Sequence, residues 1–172
     1  MRALRFTAAL VVAALIQFTG MQVFPWFTLA VDLFLVILVF NAMDGSTVAG
    51  MLGGCVAGLL TDALTGGPFG LFGFAGTVVG FGVATAAQRL VIQRASSSLL
   101  VFCLGAAAQQ AIVLTLALLL LRAPEAPDPR WIVVKVVSSG VLGLGLYLSR
   151  GRFLRRMETW RRARTARIRF GR

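Results

Sequence analysis

Histidine is missing from all 172 residues, and cysteine occurs only twice. Without histidine the chain lacks the commonest metal ligand and the usual general base. Cys55 and Cys103 form neither a CxxC pair nor a disulfide framework, and both fall in apolar segments as small packing residues. Charge is scarce as well: charged residues make up 13% of the chain, against about 25% in soluble domains. No nucleophile, base and orienting group stand at a recognisable spacing, and no ligand set for a metal can be assembled. The sequence therefore points away from an enzyme and implies no cofactor. An internal repeat of the kind that marks many secondary transporters is not visible either.

What the chain has instead is apolar length. Hydrophobic residues make up 58% of it, above the ~45–50% usual in soluble proteins. Ala95 to Leu121 carries no charge at all, longer than the ~20 residues a helix needs to cross the hydrocarbon. The pattern predicts an all-α polytopic membrane protein of six spans: Phe6–Phe24, Trp26–Met43, Ser46–Leu64, Phe69–Gln88, Leu99–Leu121 and Trp131–Ser149. Breaks fall at Pro25, Asp44-Gly45, Gly66-Gly67-Pro68, Arg94 to Ser98, and Ala123 to Pro129. The opening segment, with Arg2 and Arg5 ahead of an apolar run, reads as an uncleaved first helix that also directs insertion. Residues 1–149 form the transmembrane domain and 150–172 an Arg-rich juxtamembrane tail.

Basic residues orient the bundle. Arg2, Arg5, Arg89, Arg94 and the ten tail arginines fall on one side, Arg122 and Arg130 on the other, and Lys135 lies within the last span. Both termini are expected in the cytoplasm, with the Pro-rich loop outside. Trp26 and Trp131, at outer span ends, fit the interfacial aromatic belt.

Small residues recur every fourth position: Gly50, Gly54 and Gly58, then Asp62, then Gly66 and Gly70. Four residues turn a helix by about 400°, so such rungs drift only ~40° and share a face. In lipid, close backbone approach through glycine becomes a main source of helix association. The ladder serves either internal packing or a partner helix; Gly76 and Gly80 repeat the spacing in the fourth span, and Ser139 and Gly143 in the sixth. Gln17, Gln22, Gln109 and Gln110 are expected to hydrogen-bond between helices.

Three charges fall at similar depth within the spans: Asp32, Asp62 and Lys135. A charge at mid-bilayer costs ~2.5–3.5 kcal/mol on insertion scales. The expectation is an outer-leaflet polar cluster in which Asp32 or Asp62 pairs with Lys135. Two further arrangements stay open. Lys135 can extend to the surface while Asp62 meets water, or the Gly66-Gly67-Pro68 turn can bring Asp62 onto the free amides of the fourth span. In the tail, Arg152, Arg155, Arg156, Arg161, Arg162, Arg164, Arg167 and Arg169 accompany Phe153, Met157 and Trp160 at helical spacing. An amphipathic helix on the membrane surface, drawn to anionic phospholipid, follows from this pattern; a specific nucleic-acid role does not.

Val31-Asp32-Leu33 before an apolar run, and Gly54-x-x-x-Gly58-x-x-x-Asp62-x-x-x-Gly66-x-x-x-Gly70-Leu71, resemble motifs of the bacterial rod shape-determining protein MreD family. Val31 replaces the proline of the family's first motif, and the proline often found in the last span is missing. The resemblance implies a non-catalytic scaffold of the cell-elongation machinery in the inner membrane, supporting peptidoglycan synthesis. It implies association with MreC, and possible links to RodA, a class B penicillin-binding protein and, indirectly, MreB. It also implies a fold similar to the substrate-binding subunit of energy-coupling-factor vitamin transporters. Such a transporter subunit is the alternative function, and Ala9 with Ala13 on the first helix suits it. An ion carrier using Asp32, Asp62 and Lys135 is a further alternative, but no charge occupies the inner half of any span.

Overall fold

The computed structural model describes residues 2–24, 26–66, 68–89, 95–120 and 128–169, with side chains left out at 2–3, 28–29, 95–96 and 150–169. The described residues form helices and connecting turns: α1 (Arg2–Val23), α2 (Phe27–Ala30), α3 (Leu33–Asp44), α4 (Thr47–Thr65), α5 (Leu71–Arg89), α6 (Ala95–Leu120) and α7 (Pro129–Arg169). Five of them, α1 and α4 to α7, are long and apolar enough to cross a membrane.

The ends follow local chemistry. Ser46 caps α4, its hydroxyl oxygen accepting from the Ala49 amide at 3.3 Å. Gly66 closes α4 in the left-handed region, at φ +66°, where a side chain would be strained. Pro129 stands first in α7, where its missing amide hydrogen costs nothing.

The second predicted span, Trp26–Met43, is not one helix. It is broken into the single turn α2 and the twelve-residue α3, with Val31 extended and Asp32 also non-helical between them. At ~1.5 Å per residue, α3 rises only about 18 Å, short of the ~30 Å hydrocarbon. The physical reason for the break is Asp32: its carboxylate accepts from the Leu35 amide at 3.0 Å, an N-cap geometry that replaces continued helix. The fifth predicted span begins earlier than expected, since α6 takes in Ala95 to Ser98, and α7 runs on without interruption past Ser149. The expected breaks at Pro25 and Gly67, and most of the Pro-rich loop, lie outside the described residues.

Short as it is, α3 is the centre of the bundle. It packs against α1, α4, α5, α6 and α7. Phe34, Leu35, Val36, Leu38, Val39 and Ala42 are all buried, which covers most of its circumference. A helix apolar all round suits an interior position. Outward, the bundle shows Leu15, Phe74, Leu104, Leu119 and Val133, large apolar side chains suited to lipid.

The long helices alternate in direction. Trp26 stacks on Trp131, ring centroids 5.3 Å apart, so α2 and α7 start at the same end. Gln88 donates to the Thr47 hydroxyl at 3.1 Å, which puts the end of α5 beside the start of α4 at the other.

Candidate functional site

The helix break gathers polar groups from four segments. Interrupting a helix in lipid frees carbonyls that water cannot reach, and neighbours must satisfy them. Here they do. Ser138 of α7 donates to the Ala30 carbonyl, and Gln17 of α1 donates to the Val31 carbonyl at 3.0 Å. Asp32, 2% exposed, uses one oxygen for the Leu35 amide and turns the other to Lys135 of α7 at 3.3 Å. The break is thus a junction that ties α1 and α7 to the central helix.

Asp32 sits at the N-terminus of α3, where the macrodipole favours negative charge, and it faces Lys135, itself buried. Lys135 does not run out to the surface. Its Nζ lies over the Phe72 ring, 5.1 Å from the centroid, so an aromatic face replaces part of its lost hydration.

Phe72 connects this pair to the second buried carboxylate. Asp62, also 2% exposed, accepts from the amides of Gly70, Phe72 and Gly73, each at 3.0 Å. These are free amides at the start of α5, and a carboxylate projecting from the end of α4 caps them. Asp62 therefore takes the arrangement in which it meets the fourth span's amides. The Lys135 partner is Asp32. Gly70, at φ +104°, makes the turn that aims the amides.

The glycine ladder closes the same hairpin. Gly50 lies against Gly80, Gly54 against Gly76, and Gly58 against Phe72 and Gly73, backbone to backbone. A Cβ added at Gly54 or Gly58 would collide with the carbonyl oxygen of Gly76 or Phe72, and one at Gly50 would lie 2.6 Å from that of Gly80. Glycine meets glycine at two levels, and Gly58 meets the Phe72–Gly73 backbone at the third, so this part of the ladder is filled by α5. Gly66 and Gly70 lie outside the helices, open to space, and act as turn residues rather than rungs. The α6–α7 pair uses a related device: Gly143 receives the Phe102 ring and Gly140 faces the Cys103 sulfur.

Ser138 and Phe72 were not singled out by the sequence. Ser138 could have been, because it stands three residues after Lys135 and so shares its helix face. Phe72 acts through its backbone amide as well as its ring, which no sequence pattern reveals. Arg152, Arg155, Arg156, Arg161, Arg162, Arg164, Arg167 and Arg169 belong to the helical backbone of α7, but their side chains lie outside the described residues.

Fold and site together define a multi-pass helical membrane protein whose buried charges hold helices to one another. Among the described residues no three His, Cys, Asp or Glu side chains converge as a metal site would need. The family model for rod shape-determining protein MreD matches residues 1–124, and the chain belongs to that family. Neither a curated protein nor a solved structure matches it. Membership gives it a role in rod shape determination, in a family of shape-determining membrane proteins rather than enzymes.

Proposed function

We propose that this protein is a non-catalytic scaffold of the bacterial cell-elongation machinery, seated in the inner membrane, that binds MreC and supports peptidoglycan synthesis. The observation that carries this reading is the family match over residues 1–124. RodA, a class B penicillin-binding protein and, indirectly, MreB are further partners of the same assembly. The α2–α3 segment acts as the sixth crossing, with both termini cytoplasmic, in an arrangement similar to the vitamin-binding subunits of energy-coupling-factor transporters. Asp32, Asp62 and Lys135 then lie in the outer leaflet.

The physical contribution of the chain is rigidity. A scaffold must present a fixed surface, and each polar interaction in lipid holds a crossing in one register. With Gly50, Gly54, Gly58, Gly76 and Gly80 occupied by the α4–α5 contact, partners meet the apolar outer faces of the bundle. Co-purification from solubilised membranes tests the assignment. Tagged full-length protein should retain MreC, and cells depleted of the protein should round up and recover on its re-expression. Failure to retain MreC, together with rod shape that persists on depletion, would exclude the scaffold role.

A further inference from the structure

We propose that the groove between α1, α3 and α7 binds an acyl chain of an anionic phospholipid. Between these helices lies a cavity of about 820 Å³, walled by Ala9, Ala13, Ile37, Phe40 and Leu146 and reaching Ser149. Every lining residue but Ser149 is apolar. Short alanine side chains on α1 give the groove its depth.

Its length identifies the occupant. The α1 wall runs from Ala8 to Ile16, a rise of about 12 Å at ~1.5 Å per residue. One leaflet of hydrocarbon is about 15 Å, half of the ~30 Å core. Beyond Ile16 the seam is shut, because Gln17 bonds to the Val31 carbonyl at 3.0 Å and the Phe27 ring lies against Gly20. A spanning partner helix would need a track through both leaflets. A lipid tail needs one.

Charge at the open end selects the headgroup. Arg5 is exposed one turn before Ala9 on α1, and α7 passes from Ser149 directly into Arg150, Arg152, Arg155 and Arg156. Basic side chains at this level attract anionic headgroups. The proposal requires only that the chain lies in a membrane, and stands whether or not MreC is its partner.

Full-length protein in liposomes containing phosphatidylglycerol with a photoreactive group on the acyl chain provides the test. Cross-links are expected on the groove faces of α1 and α3 at several-fold the level found around Leu104, an exposed position on α6. Phosphatidylcholine carrying the same group should label the groove several-fold less. Ala9→Trp, which fills the groove, and Arg5→Gln, which removes charge at its mouth, should each lower the labelling while thermal unfolding shows a folded bundle. If Ala9→Trp fails to fold, Arg5→Gln and the headgroup comparison still decide. Labelling spread evenly over all lipid-facing surfaces, or equal labelling from both lipids, would overturn the proposal. So would a groove that in native membranes cross-links to a second protein chain instead of lipid.

Discussion

The α4–α5 contact makes a graded prediction. Replacing Gly54 or Gly58 by alanine sets a Cβ against backbone atoms of α5, well inside the 3.0 Å that real Cβ atoms essentially never breach. Backbone atoms cannot swing aside, so the two helices must part by about an ångström, and overpacking of this kind costs typically ~1–3 kcal/mol, occasionally more. Alanine also returns about 0.5–1 kcal/mol of helix propensity. The net loss at Gly54 and Gly58 should therefore reach about 2 kcal/mol, taken from the upper part of the overpacking range. Gly50→Ala, with its Cβ 2.6 Å from the Gly80 carbonyl oxygen, should lose less. Gly82 and Gly145 have nothing within 4 Å of an added Cβ, so alanine there should be neutral or stabilise by up to about 1 kcal/mol. Reversible unfolding in mixed detergent micelles measures the series on full-length protein. Equal effects at Gly54, Gly58, Gly82 and Gly145 would refute the reasoning, since a generic glycine effect and the backbone contact would then be indistinguishable.

Removing one member of the buried ion pair, as in Asp32→Asn or Lys135→Met, should destabilise by about 3–5 kcal/mol, and the double variant should lose clearly less than the sum; a strictly additive cycle would mean that the two do not interact. Asp62→Asn keeps one acceptor oxygen but loses the charge shared by three amides, and should cost about 1.5–3 kcal/mol in the same unfolding assay. Gln17→Leu frees the Val31 carbonyl and should cost about 1–3 kcal/mol, loosening α1 and raising hydrogen exchange around the break. Reporter fusions at both termini should be active in the cytoplasm, and a periplasmic C-terminus would reverse the proposed orientation.

Much of this was legible in the residues. Apolar length and breaks located five apolar spans within a few positions, because lipid demands long apolar helices and punctuates them with glycine, proline and charge; that α7 continues as helix past Ser149 was not foreseen. The every-fourth spacing of Gly50, Gly54 and Gly58 marked a close-packing face. Spacing could not name the occupant of that face, because a helix of the same chain and a partner's helix present identical chemistry. Span two was misread as continuous, since Asp32 amid apolar residues looks the same whether it caps a helix or interrupts one. Its neighbours on α1 and α7 make the interruption tolerable, and they lie far away in the chain.

Composition alone settled that the chain resides in lipid, since its apolar stretches exceed what a small water-soluble core could hide. It also marked Asp32, Asp62 and Lys135 as groups that must find partners. Which partners they found depended on the packed bundle: Lys135 reached Asp32 beside the Phe72 ring, and Asp62 reached the amides opening α5. Those pairings join residues from different helices, and only the simultaneous packing of those helices brings the atoms within hydrogen-bond range.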